Sequence, residues 1–233
     1  MLTDKVVLQL ERQPVIKYKE IEGVNGAFSI HKGNLRSIAV LLKDQSLCVV
    51  SPIPGLPSTA YESLEAIGRV GHVLAPNHYH NKGISEFVAL YPKARAYATE
   101  AAAGRLYEQT KIEFSSIKRL KKLLNKDTSF LEPEGLKTGE VWLRLKDSEL
   151  TAWVVTDAFC GPKLKRLATE AKMPELLKTF PNYGVADKGV YSLWAGKQVS
   201  KDNPTLLIPC HGSIVRSPSL AKSLKALLQK LGS

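Results

Sequence analysis

Apolar residues come in short blocks over the first fifty positions of the chain, with polar residues between them, as expected for short β-strands. Residues 37–42 and 47–50 are apolar runs separated by the polar residues 43–46, which predicts a β-hairpin with a polar tip. Two more β-prone runs precede this hairpin, at residues 6–10 and 15–18. The pattern therefore predicts that the fold begins with a sheet.

Helical spacing follows, interrupted by buried strands. Thr59 and Glu62 have the spacing of a capping box, and Gly68 suits the C-terminal end of the helix that they begin. The later elements are predicted from apolar runs, helical periodicity and proline stops. They are a strand over 70–75, a helix over 84–91, a strand over 94–98 and a short helix from Thr99.

The second half of the chain repeats the plan of the first. Residues 141–145 alternate, residues 146–149 turn, and residues 152–155 form a buried run, so a second hairpin is predicted. Two hairpins with a shared plan are typical of a fold made of two similar β-sheet halves with helices outside. The last predicted elements are a strand over 205–209 and a leucine-faced helix with Ser217 as N-cap.

The composition is that of an ordinary soluble globular protein, with 44% hydrophobic and 24% charged residues among 233. No apolar run approaches the roughly 20 residues of a membrane span, and no secretory signal is visible at the N-terminus. No linker divides the chain, so residues 1–233 are predicted to form one domain. The three cysteines are widely spaced and form no CxxC motif, which predicts a reducing, cytoplasmic location.

The net charge of +11 bears on the partners of the protein and not on its fold. It is compatible with an anionic small-molecule substrate, with nucleic acid or with an acidic partner. The most basic run, residues 118–122 within the segment 116–127, is interpreted as one solvated helix face. Contact with phosphate or nucleic acid is the alternative, although no aromatic interleaving accompanies the run.

Three predicted buried strands each end beside a potential metal ligand. His78 and His80 follow the first strand, Asp157 follows the second, and His211 follows the third. In an extended segment His78 and His80 would point the same way and offer two imidazole nitrogens to one cation. The alternatives are a polar loop with exposed histidines, a turn or capping role for Asp157, and a backbone hydrogen bond for His211.

The order of these ligands and of the strands that carry them resembles the metallo-β-lactamase superfamily. The resemblance runs from about Arg36 to the C-terminus. It implies a four-layer αββα sandwich of the α/β class, with a metal site along one edge of the two sheets.

The first motif of that family, HxHxDH, is only half present. His78 and His80 match its leading histidines, but Lys82 stands at the aspartate position and Gly83 at the last histidine position. The resemblance therefore implies a reduced site that holds one divalent metal, zinc, or none. Lys82 would lie near the vacated second position and pair with Asp157, or it would be a solvated surface lysine. The remaining ligand set is His78, His80, Asp157 and His211.

Three functions are compatible with this reduced site and with the positive charge of the chain. The first is a metal-dependent hydrolase of an ester, thioester or phosphoester, in which Asp157 orients water and Lys82 stabilises the developing oxyanion. The second is a non-catalytic binding protein that retains the fold. The third is a nuclease-like relative that binds nucleic acid, which the positive charge suggests.

Overall fold

Two β-sheets with helices on their outer faces make up the part of the chain that the computed structural model describes, residues 16–147, 150–163 and 170–232. The predicted strand at 6–10 and the turn residues 148–149 lie outside the described residues. The strands of the first sheet are β1 (Lys19–Glu20), β2 (Ala27–Lys32), β3 (Leu35–Leu41), β4 (Leu47–Val50), β5 (Val70–Leu74), β6 (Arg95–Ala98) and β7 (Ser115–Ser116). Those of the second sheet are β8 (Thr128–Leu131), β9 (Trp142–Lys146), β10 (Thr151–Val155), β11 (Glu170–Ala171), β12 (Leu206–Pro209) and β13 (Ile214–Arg216).

The helices alternate with the strands along the chain. They are α1 (Ser58–Ile67), α2 (Ile84–Leu90), α3 (Glu100–Thr110), α4 (Ile117–Lys121), α5 (Phe180–Tyr183), α6 (Lys188–Asp202) and α7 (Leu220–Gly232). The helix predicted to begin at Thr99 is α3, and Thr99 caps it, since its hydroxyl accepts a hydrogen bond from the backbone N–H of Ala102. None of the described helices is long and apolar enough to cross a membrane.

Each sheet contains an antiparallel hairpin that is continued by a parallel strand. In the first sheet β3 and β4 form the hairpin and β5 lies parallel to β4. In the second sheet β9 and β10 form the hairpin and β12 lies parallel to β10. Both predicted hairpins are therefore confirmed, and so is the shared plan of the two halves.

Alternation along the strands divides the apolar residues into three layers. On β3, Ile38 and Val40 face the second sheet, where they join Val154 and Ile208. Ala39, between them, faces α1, α2 and α3 on the outer side. The outer side of the second sheet packs against α6 and α7 in the same way, through residues such as Trp153. Two sheets with helices outside each form the predicted αββα sandwich.

The start of α1 differs from the predicted capping box. The helix begins at Ser58 after Pro57, and no side chain caps it. The hydroxyl of Thr59 instead donates to the carbonyl of Ile16, at 3.2 Å, so it fastens an earlier segment to the helix. The predicted C-terminal residue, Gly68, is confirmed as the C-cap.

Candidate metal centre

Three strand ends bring His80, Asp157 and His211 together. β10 and β12 are parallel neighbours, so the residues that follow them, Asp157 and His211, emerge at the same edge of the second sheet. His80 reaches this edge from the loop after β5, in the first sheet. His80 Nε2 lies 3.2 Å from Asp157 Oδ1 and 3.2 Å from His211 Nε2, and His211 Nε2 lies 3.0 Å from Asp157 Oδ1.

These three atoms, here called the donor trio, suit a divalent metal ion. Neutral imidazole nitrogens and a carboxylate oxygen are the ligands that catalytic zinc sites use, three from the protein with one position left for water. Ligands bound at 2.0–2.1 Å in a tetrahedron are separated by about 3.3 Å, close to the distances within the trio. Among the described residues, this is the one group of three such side chains whose ligand atoms all lie within 4.8 Å of one another.

A hydrogen bond fixes the orientation of the His80 ring. Its Nδ1 lies 2.7 Å from the hydroxyl of Ser51. In a metal-bound site, a proton on Nδ1 would leave the lone pair of Nε2 for the metal, and such partners hold metal-binding histidines in one tautomer. The backbone of His80 is fixed as well, since its N–H donates to Oδ1 of Asn77 at 3.0 Å.

Asp157 is a buried carboxylate that is held from several sides. Its Oδ2 accepts a hydrogen bond from the Asn77 amide at 2.8 Å. Burial and the nearby charge of Asp157 raise the pKa of the Tyr183 hydroxyl. Burial alone would raise the pKa of Asp157, but hydrogen bonds from His211 and His80 outweigh burial and hold this pKa below its ordinary value. The trio therefore presents an ionised oxygen.

Glu140 is a buried residue that the sequence analysis missed. Its carboxylate accepts hydrogen bonds from the indole of Trp142 at 2.7 Å and from the backbone N–H of Asp157 at 3.2 Å. It also accepts from the Asn77 amide at 3.3 Å. Burial and the charge of Asp157 raise the pKa of Glu140 to about 7. Further bonds come from the backbone N–H groups of Thr156 and Ala158.

The sequence carries one signal for this role. Glu140 immediately precedes the apolar run that becomes β9, a position where an unpaired carboxylate is costly to bury. Its partners Asn77 and Asp157 lie 63 and 17 positions away, so sequence spacing could not identify them.

His78 is not part of the donor trio. Residues 76–83 form a series of turns and not an extended segment, so side chains two positions apart do not point the same way. His78 Nε2 lies 3.3 Å from the guanidinium of Arg105, and its ring packs against Tyr79. Burial and the charge of Arg105 lower the pKa of His78. The expectation that His78 and His80 face one cation therefore does not match the backbone.

Lys82 and Gly83 occupy the positions where the resemblance expects two more ligands. Lys82 is exposed, and within the described ranges it forms no hydrogen bond or ion pair, so the expected pairing with Asp157 is not present. At Gly83, an added Cβ would lie 2.0 Å from the carbonyl oxygen of Pro52. The loop before α1 thus fills the space that any side chain at position 83 would need.

We predict that Gly83→Ala destabilises the protein, because the new Cβ displaces the Pro52 backbone. Overpacking of this kind costs about 1–3 kcal/mol of unfolding free energy. Gly104→Ala is the matched control, since Gly104 lies within α3 with nothing within 4 Å of an added Cβ. It should stabilise the protein by about 0.5–1 kcal/mol. Urea denaturation measures both, and a Gly83→Ala variant as stable as the unaltered protein would contradict the packing described.

We predict that Glu140→Gln weakens both folding and metal binding, because its amide group would face backbone and side-chain N–H donors. The expected losses are about 1–3 kcal/mol of unfolding free energy and about 10- to 100-fold in zinc affinity. Denaturation in chelator and competition with a chromophoric zinc chelator measure the two effects. Glu134→Gln, at an exposed position, is the control and should change neither. Unchanged zinc affinity in Glu140→Gln would show that Glu140 does not position the trio.

No family model matches the sequence, and neither does any curated protein. Solved structures do match over most of the chain. The DIM-1 metallo-beta-lactamase is 14% identical, with 93% of this chain and 98% of that one covered and a TM-score of 0.61. The metallo-beta-lactamase of Hirschia baltica is 9% identical, with 92% and 98% covered and a TM-score of 0.62.

A larger protein contains the same architecture as one part. Rubredoxin oxygen:oxidoreductase from Desulfovibrio gigas is 10% identical and has a TM-score of 0.67, with 93% of this chain but 61% of that chain covered. Identities this low establish the architecture and not the activity. The two hairpin-based sheets, the outer helices and these matches together show that the chain has the metallo-β-lactamase fold.

Proposed function

We propose that this protein is a hydrolase that binds one divalent metal ion, zinc, through His80, Asp157 and His211 and cleaves a small-molecule ester, thioester or phosphoester. The observation that carries the proposal is the donor trio, whose atoms lie 3.0–3.2 Å apart at the edge of the two sheets. Relatives in fold include metallo-beta-lactamases, which supports a metal-dependent hydrolase.

The surroundings of the trio support metal binding over a simple hydrogen-bonded cluster. Two imidazole nitrogens face each other at 3.2 Å, an arrangement that a shared cation stabilises. Ser51 and Asn77 hold the ring and the backbone of His80, and Asn77 also holds Asp157. A divalent metal bound there lowers the pKa of water toward neutrality and so supplies hydroxide for hydrolysis.

The chain's own residues would then orient the reaction. Asp157 carries the negative charge of the site and is held at its Oδ2 by the Asn77 amide. The Tyr183 hydroxyl, at the end of α5, lies near the charge of Asp157, and we assign it to hydrogen bonding with the substrate oxygen or with water. Lys82, which is exposed, has no assigned part in this proposal.

One metal ion, and not two, is supported by positions 82 and 83. A lysine ammonium repels a cation, and Gly83 has no side chain and no room for one.

The three cysteines are all free and buried, which supports the predicted reducing, cytoplasmic location.

Metal content tests the site directly. Protein purified without chelator and then loaded with zinc should hold one equivalent per chain by elemental analysis. His211→Ala removes one of three ligands and should leave less than a tenth of an equivalent at limiting zinc, whereas His31→Ala, an exposed histidine on β2, should retain the metal. Two equivalents in the unaltered protein, or full retention in His211→Ala, would overturn the one-metal proposal.

Hydrolysis tests the activity. Zinc-loaded protein is assayed against an aryl ester, a thioester and an aryl phosphodiester, and chelator should abolish turnover. His80→Ala should lower kcat/KM by about 100-fold or more. Loss of a residue that supports a ligand typically lowers activity by about 10- to 100-fold, and loss of the ligand itself should lower it at least as much. His31→Ala should have no effect.

The other outcomes separate the remaining functions. Zinc binding without turnover on any of the three substrates would favour a non-catalytic binding protein. Cleavage restricted to nucleic acid, with salt-sensitive binding, would favour the nuclease-like alternative.

A further inference from the structure

Arg105 is a cation that contacts His78 and Tyr79, on the loop that carries His80. It lies on α3 and is exposed, and none of the ion pairs in the described ranges includes it. A guanidinium has five N–H donors. One of them points to Nε2 of His78, at 3.3 Å. The remaining donors are available to a ligand.

The position of this guanidinium is fixed by its neighbours. Its central carbon lies 4.7 Å from the ring centre of Tyr79, the geometry of a cation–π contact. The hydrogen bond to His78 holds it from a second side. An exposed arginine otherwise loses about 2 kcal/mol of side-chain entropy when it is ordered. Two contacts that involve no anion therefore preorganise Arg105 for one.

Tyr79 and Tyr183 join this cation to the donor trio, and we call them the aromatic wall. Their rings meet edge to face with centroids 5.0 Å apart. At one end of the wall the Tyr183 hydroxyl lies near enough to Asp157 for that charge to raise its pKa, and at the other end the Tyr79 ring contacts the guanidinium. Tyr79 is 37% exposed, so a ligand can reach it. The wall therefore leads from the trio to a fixed positive charge.

We infer that Arg105 and the aromatic wall form a subsite for an anionic group of the substrate, a carboxylate or a phosphate. The reacting bond would lie at the donor trio and the anionic group two aromatic rings away. This part of the inference rests on the proposed hydrolase function. Planar guanidinium groups bind both anions through paired hydrogen bonds, so the shared chemistry is the anion itself. The net charge of +11 would further attract such a substrate.

Binding of small probes tests the subsite without any turnover. Phenyl phosphate, benzoate and the neutral benzyl alcohol are titrated against the protein by calorimetry, once with zinc and once with chelator. The chelator arm shows binding that does not need the metal. We expect one or both anions to bind, and the neutral probe to bind at least about tenfold more weakly.

Substitution of Arg105 provides the decisive comparison. Arg105→Gln should lower the affinity for the anions about tenfold or more, both with zinc and with chelator. Arg105→Lys keeps the charge but loses the paired geometry, so its affinity should lie between those of Arg105→Gln and the unaltered protein. The matched control is Lys111→Gln, because Lys111 also lies over a tyrosine ring, that of Tyr107 at 5.9 Å, at the end of the same helix. This control should bind the anions as the unaltered protein does.

The outcomes separate the subsite from the hydrolase proposal. Two results would overturn the subsite, whether or not the protein hydrolyses anything. One is that Arg105→Gln and the unaltered protein bind the anions equally well. The other is that the unaltered protein binds benzyl alcohol as tightly as it binds the anions. Arg105-dependent binding in chelator supports the subsite even if the metal proposal fails, and the tighter probe identifies phosphate or carboxylate as the group. If hydrolysis is found, Arg105→Gln should raise KM for an anionic ester and leave that for its neutral analogue unchanged.

Discussion

The candidate site depends on a buried hydrogen-bond network between Asn77, Glu140 and Asp157. The Asn77 amide donates to both carboxylates, and its oxygen accepts from the backbone of His80. Glu140 accepts from the backbone N–H of Asp157. Asn77 lies just after β5 of the first sheet, and Asp157 lies just after β10 of the second. This network therefore connects the two sheets at one edge. The network sets the relative position of two of the three ligands, because Asn77 holds both the backbone of His80 and the carboxylate of Asp157.

The same network has an electrostatic consequence. Two carboxylates lie buried side by side, and their mutual repulsion together with burial raises the pKa of Glu140 to about 7. Buried negative charge is costly unless positive or hydrogen-bonding groups surround it. His80 and His211 partly offset this cost through Asp157. A divalent cation bound by the trio would offset more of it, so the charge balance of the interior and the proposed metal support each other.

Much of the fold could be predicted from sequence because it depends on local patterns. Apolar runs and polar tips identified both hairpins, and the strand ends located Asp157 and His211 correctly at one sheet edge. His78 shows where local reasoning stops, since alternation applies to extended backbone and residues 76–83 form turns. Glu140 shows the other limit. Its partners are distant in sequence, and such contacts are visible only after the chain has folded.

The close approach of the Pro52 carbonyl to Gly83 also bears on how this protein can change by mutation. Replacing Lys82 and Gly83 with aspartate and histidine would restore the letters of the HxHxDH motif, yet the imidazole would have no room while Pro52 stays in place. The backbone of a second segment, far away in sequence, would have to move in the same step. Any single substitution at position 83 is therefore destabilising, which would make the proposed one-metal site an evolutionary state that is hard to leave.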